Sequence, residues 1–114
     1  MSKCADKSDL IHRILDYLNV HYKENIRLCD VASVLGYEEH YVSRIFNKFF
    51  GKSFTSLVNE YRIYYARTLM RNDPSLTLAE VAFSSGFGSL RNFNRAYLSI
   101  VGKPPKRNSK VAKM

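Results

Sequence analysis

Apolar residues recur at intervals of three and four along almost the whole chain, and no stretch shows the sustained alternation of a strand. Leu10, Ile11, Ile14, Leu15, Leu18 and Tyr22 trace one stripe. It predicts an amphipathic helix of roughly four turns with Ser8 or Asp9 as N-cap. Leu28, Val31, Ala32 and Leu35 predict a short second helix ended by Gly36. Tyr41, Val42, Ile45, Phe46, Phe49 and Phe50 predict a third, over about residues 38–50, ended by Gly51. Phe54, Leu57, Val58, Tyr61, Tyr65, Leu69 and Met70 mark a long fourth helix from about Ser53 to Arg71, broken by Asn72-Asp73-Pro74-Ser75. Thr77-Leu78-Ala79-Glu80 is a capping box that opens a fifth helix ending at Gly86. A sixth runs over about residues 89–101, from Ser89 through Phe93 and Tyr97 to Gly102, before Pro104-Pro105. The pattern is that of an all-α fold.

Part of the chain occurs twice. Leu28, Val31, Ala32 and Gly36 match Leu78, Val81, Ala82 and Gly86 at an offset of 50, as do the acids Asp30 and Glu80 and the aromatics Tyr37 and Phe87. After one inserted residue the match resumes at an offset of 51, pairing Arg44 with Arg95, Phe46 with Tyr97, Gly51 with Gly102 and Lys52 with Lys103. So many agreements in order mean two copies of one unit. Each copy has a short helix with a small residue where a second helix must cross closely. A glycine able to take positive φ follows, then an aromatic to plug the turn, then a helix with one apolar and one polar face. Those are the parts of a helix-turn-helix, whose second helix enters the DNA major groove N-terminal end first.

The polar faces carry the candidate chemistry. The first copy offers His40, Ser43, Arg44 and Asn47, and the second Arg91, Asn94 and Arg95, with Leu90 near the helix start. Arg bridges guanine O6 and N7, Asn pairs with adenine, Ser and His serve several acceptors, and an apolar side chain such as Leu90 touches a thymine methyl. His40, Ser43, Arg44, Leu90, Arg91, Asn94 and Arg95 are therefore the expected base contacts. Asn47, Lys48, Lys52, Ser89, Lys103, Lys106 and Arg107 are the expected phosphate contacts. Taken one at a time, each is also an ordinary solvated position; the repeat, the turn glycines and the charge favour the joint reading.

Charge is distributed unevenly. Of a net charge of +8, seven units fall between Gly88 and Met114, a stretch without Asp or Glu, which fits a polyanionic partner. A solvated basic tail after Pro105 explains the same charge without one. Across 114 residues, 46% hydrophobic and 13% aromatic content exclude a disordered chain. No apolar run is long enough to span a membrane, and the polar N-terminus lacks a signal peptide's apolar stretch. Two cysteines, Cys4 and Cys29, provide no disulfide framework and suit a reducing compartment. A cytoplasmic protein, nucleoid-associated when bound, is expected.

Tyr41-Val42-Ser43-Arg44-Ile45-Phe46-Asn47-Lys48-Phe49-Phe50-Gly51-Lys52-Ser53-Phe54 resembles the first recognition helix and following turn of the AraC/XylS family of bacterial transcription regulators. Leu78 through Pro105, with Glu80-Val81-Ala82, Gly86-Phe87, Phe93-Asn94-Arg95-Ala96-Tyr97 and Gly102-Lys103-Pro104-Pro105, resembles that family's second unit. The resemblance covers roughly Leu10 to Arg107. It implies about seven helices in two helix-turn-helix units of homeodomain-like form, with the fourth as a rigid linker, and a non-palindromic site of two adjacent major-groove segments. A linker of ~19 residues spans ~28 Å at 1.5 Å per residue, near the ~34 Å between successive major grooves. The expected division is a polar leader over 1–8, a first unit over 9–52, the linker over 53–71, a second unit over 72–107 and a basic tail over 108–114.

The chain departs from the family pattern at three places. Arg27 stands where a Ser or Thr N-cap is usual, so the second helix should be weakly capped. Glu38 and Glu39 open the first recognition helix; they suit its dipole, repel phosphates and can accept from cytosine amino groups. Arg107-Asn108 replaces the usual Tyr-Arg after the prolines, leaving the seventh helix short or frayed. The second unit should therefore be the stronger phosphate binder.

Other chemistries find little support. Gly51-Lys52-Ser53 matches the end of a P-loop, but Phe46 occupies the position of its first glycine and a helix precedes it. Gly86-Phe87-Gly88 is explained by the turn. His12, His21, His40, Cys4 and Cys29 lack paired zinc-ligand spacing, no Ser lies in Gly-x-Ser-x-Gly, and Cys4 has no base near it. No enzyme, metal or cofactor is expected. Tyr64 reads as a half-buried flank of the linker helix rather than a partner contact. The rival reading is a protein-interaction module whose aromatic linker face and basic tail dock on RNA polymerase or another acidic protein. The two readings are not exclusive, since the resemblance implies that an activator of this family would be expected to touch polymerase while bound. An effector would act only through an N-terminal domain outside this chain. The leader before Leu10 reads as a severed linker more readily than as a native start, and the domain itself as a monomer.

Overall fold

The computed structural model describes residues 6–106. The start of the leader with Cys4, and Arg107 with the basic tail and the place of a seventh helix, lie outside the described residues. Among those described there are six helices and no strand: α1 (Asp6–His21), α2 (Leu28–Leu35), α3 (Glu39–Phe50), α4 (Phe54–Asn72), α5 (Leu78–Ser84) and α6 (Leu90–Val101).

Only the start of α1 departs from the periodicity by more than a residue or two. Ser8 and Asp9 lie inside the helix rather than capping it. Asp9 instead sits 4.0 Å from Arg13, one turn on, in an exposed ion pair. An acid near a helix start is favourable either as cap or within the first turn, so its presence does not locate the end. Ser53 does cap α4, its Oγ accepting the Ser56 N–H at 3.1 Å. The break after α4 is closed by Asp73, whose Oδ1 accepts from the Ser75 N–H at 3.2 Å and the Ser75 hydroxyl at 2.6 Å. At α5 both halves of the capping box form: Thr77 Oγ1 accepts from Glu80 N–H at 3.1 Å, and Glu80 Oε1 from Thr77 N–H at 2.8 Å. At α2 only one half can form, because a guanidinium has no acceptor to offer. There Asp30 accepts the Arg27 N–H at 3.0 Å.

The chain divides into two compact units, up to Val58 and from Asn59, with the division inside α4. Leu10, Ile14, Leu18, Val31, Val42 and Phe46 are buried in the first, where Phe46 meets Phe54 edge-on at 5.7 Å. Ile63, Ala66, Val81, Ala82, Phe87, Phe93, Ala96 and Tyr97 form the core of the second. The apolar positions of the repeat beyond Leu28 and Leu78 supply much of both cores. Val31 and Val81, Ala32 and Ala82, Val42 and Phe93, Ile45 and Ala96, Phe46 and Tyr97 are all buried. Where one copy has the larger Phe93 it has the smaller Ala96, so volume is conserved across the pair of sites.

The turns repeat too. Tyr37 N–H donates to Ala32 C=O at 2.9 Å and Gly36 N–H to Ser33 C=O at 3.2 Å. Fifty residues on, Phe87 N–H donates to Ala82 C=O at 3.0 Å and Gly86 N–H to Phe83 C=O at 3.1 Å. This is one Schellman closure used twice, with Gly36 at φ +82° and Gly86 at φ +102°. At Gly36 an added methyl meets nothing within 4 Å. Gly36→Ala should therefore cost about 1–2 kcal/mol, the left-handed penalty alone. Urea unfolding checks this: no loss would mean the turn is not left-handed, and a loss several times larger would mean a clash that the structure lacks.

Candidate nucleic-acid interface

The second helix of each unit turns its apolar stripe inward through Val42, Ile45 and Phe46 on α3 and Phe93, Ala96 and Tyr97 on α6. What remains outside is set by the 3.6-residue period. His40, Arg44, Asn47 and Lys48 are exposed on α3, and Leu90, Arg91, Asn94 and Arg95 on α6. Ser43 is half-buried. It lines, with Asn47, a cleft of about 270 Å³ walled by Arg27 and Leu28 at the start of α2 and by Ser53 and Thr55 at the start of α4. The side chains of His40, Arg91, Asn94 and Arg95 form no hydrogen bond or ion pair among the described residues. Their donors and acceptors are committed to solvent.

Arg44 is the exception. Its guanidinium lies 6.0 Å from the centre of the Tyr41 ring, and Tyr41 stacks on Tyr37 at 5.7 Å. The turn aromatic of the first unit thus braces a residue of the polar face. In the second unit the equivalent aromatic does something else. Phe87 is buried and packs edge-on against Phe93 at 5.5 Å, while Arg62 of α4 covers its ring at 5.6 Å. Burial lowers the pKa of the Arg62 guanidinium, which stays charged. Nothing local in sequence marks Arg62, because its partner lies in another element.

The two tips differ. Ser89 caps α6, its Oγ accepting the Asn92 N–H at 3.1 Å, so the oxygen read as a phosphate contact is already engaged and only its hydroxyl proton is free to donate. Glu38 occupies the N-cap of α3 without a side-chain hydrogen bond. Glu38 and Glu39 are both exposed, placing two carboxylates at the N-terminal end of α3. Of the expected phosphate contacts, Lys48, Lys103 and Lys106 are exposed, Lys52 is half-buried and already engaged within the chain, and Arg107 lies outside the described residues. The face of α6 continues to Leu98, which is 50% exposed and whose apolar side chain gives no sign in the sequence of belonging to a polar face. Tyr64 is 74% exposed rather than a half-buried flank, because the core residues Ile63 and Ala66 turn that position away from the interior. Among the described residues no group of three His, Cys, Asp or Glu could hold a metal, and no helix is long and apolar enough to cross a membrane.

Comparison with known proteins returns one family model, a helix-turn-helix domain, over residues 31–110. A helix-turn-helix-type transcriptional regulator of Staphylococcus aureus strain MSSA476 is 27% identical over 100 residues, covering 87% of this chain but 13% of that protein. The chain therefore spans only a small part of the length of such relatives. Among solved structures, the C-terminal domain of AraT, a response regulator from Geobacillus stearothermophilus, is 26% identical with a TM-score of 0.77, covering 84% of this chain and 79% of that one. The DNA-binding domain of AdpA, a global transcriptional factor solved with a target DNA, shares the fold at a TM-score of 0.76 and 19% identity, covering 91% of this chain and 94% of that one.

The unequal tips lead to opposite effects on stability. Ser89→Ala should cost about 1 kcal/mol, while Glu38→Ser, which supplies the missing cap of α3, should add a comparable amount. Both are read as shifts of the urea midpoint; a loss from Glu38→Ser would show that Glu38 already satisfies the helix end.

Proposed function

The chain belongs to the AraC/XylS-type helix-turn-helix family, and on that premise we propose that it binds double-stranded DNA at a preferred sequence as part of a transcription regulator. The observation that carries this reading is the pair of equivalent helices, α3 and α6, each exposing unpartnered polar side chains outside the same glycine turn. His40, Ser43, Arg44, Leu90, Arg91, Asn94 and Arg95 read base edges. Lys48, Asn47, Lys52, Lys103, Lys106 and Arg107, with the Ser89 hydroxyl, contact phosphates and supply most of the affinity.

The two recognition helices enter adjacent major grooves, with the 19 residues of α4 as the connector between a first unit through Lys52 and a second from Asn72 to Arg107. The second unit anchors, since its tip is capped and its flank is acid-free. The first discriminates, since Glu38 and Glu39 penalise placement on phosphate. The domain acts as a monomer in the cytoplasm, on the nucleoid when bound, and any effector acts through another part of a longer protein. No catalytic role is assigned. A second reading, docking on RNA polymerase or another acidic protein, is favoured by the exposure of Tyr64, and a salt-resistant complex formed without DNA distinguishes it.

The test is electrophoretic binding to duplexes selected from a random library, at several salt concentrations. The logarithm of affinity should fall linearly with the logarithm of salt, and one sequence should be preferred; a flat salt response or the absence of preference would sink the proposal. Arg95→Ala should weaken binding about tenfold or more, and His40→Ala by less, because a bidentate guanidinium contact on the anchoring unit outweighs an imidazole beside two carboxylates. Equal losses would refute that ranking.

A further inference from the structure

Equivalent positions of α3 and α6 do not carry equivalent chemistry. At the offset of 51, Arg44 corresponds to Arg95 and Ser43 to Asn94, both polar pairs, but Glu39 corresponds to Leu90 and Asn47 to Leu98. The ends of the outer face are thus polar on α3 and apolar on α6. Both leucines are accessible, Leu90 at 37% and Leu98 at 50%, although the core of this unit already holds Phe87, Phe93 and Tyr97. Leu98 is one heptad after Arg91, so the two side chains differ by only ~20° around the helix axis. It falls between Asn94 and Arg95 on that same face. Its exposure is therefore part of the polar face, and a surface ready to meet DNA there ends in hydrocarbon.

Exposed leucine in such a place costs solubility and gains nothing from water. In the major groove the apolar group available to it is the thymine C5 methyl, which no other base presents. Leu90 and Leu98 are eight residues apart, about 12 Å along the helix, which corresponds to three or four base-pair steps of ~3.4 Å. We infer that Leu98 is a specificity-determining residue of α6 that, with Leu90, selects thymine methyls at the two ends of the segment read by Arg91, Asn94 and Arg95. The inference rests on the DNA-binding reading above and deepens it. The half-site of the second unit is methyl-bearing at its ends, and that of the first is not.

The experiment uses the full chain and the best duplex recovered from a random library. Each thymine is replaced in turn by uracil, which removes the methyl and nothing else that the groove displays. The expected result is that uracil at one position weakens the wild-type chain about fourfold, the worth of one buried methyl, and leaves the binding of Leu98→Ala unchanged. Leu98→Asn, which copies the first unit, should lose preference for thymine at that position while keeping the rest of the selected sequence. Thermal unfolding of both variants should match wild type, since the side chain is half exposed. The inference is overturned if every uracil penalty persists in Leu98→Ala, or if Leu98→Ala selects the same sequence as wild type. If wild type itself selects no sequence, the DNA-binding reading fails and this inference falls with it.

Discussion

The whole arrangement depends on a backbone constraint: a helix must stop and its successor must start across a turn too tight for an ordinary residue. Gly36 and Gly86 take positive φ there, and the next residue, Tyr37 or Phe87, sends its N–H back five residues to an alanine carbonyl. Those two bonds satisfy carbonyls that the helix end leaves unpaired. They also fix where the aromatic side chain goes. From that point the direction of α3 or α6 is set, and with it the face each presents. Ala32 and Ala82 complete the device by keeping the crossing close. Any larger side chain there would push the second helix outward and tilt its outer face.

One closure used twice has two electrostatic outcomes. Around α3, Tyr37 and Tyr41 stack and hold Arg44, while Glu38 and Glu39 put negative charge at the N-terminal end. Around α6, Phe87 turns inward beneath Arg62, Ser89 caps the helix, and no acid lies from Gly88 onward. Against a polyanion the second arrangement gains from every approach, whereas the first gains only when a donor such as a cytosine amino group meets the carboxylate. A duplicated scaffold thus carries two helix tips of different charge and capping.

Much of this is legible in sequence because its signals are local. Period 3.6 marks the six helices of the described residues, Thr77 and Glu80 announce a capping box that forms as read, and the repeated Val31 and Val81, Ala32 and Ala82, Phe46 and Tyr97 prove to be buried. The start of α1 is not legible, since Ser8 and Asp9 suit a cap and a first turn equally well. Ser43 is on the right face yet half withdrawn, because the starts of α2 and α4 close around it. The Arg62 contact joins residues 25 apart in different elements, and no spacing rule reaches that far. Leu98 escapes for another reason. Leucine at helical spacing is read as core, and only its exposure in the fold separates the two cases.

The shared helix α4 adds a last constraint. Each unit is close to the size below which a single core is hard to stabilise, so each needs every apolar helix face it can recruit. Phe54, Leu57 and Val58 are buried toward one end of α4, and Ile63 and Ala66 farther along. Domain boundaries usually fall in exposed linkers where little is lost by a break. Here the boundary falls between buried residues of one continuous helix. Neither unit can shorten its part without surrendering core. The number of helical residues between the two cores is therefore fixed by the stability of each unit.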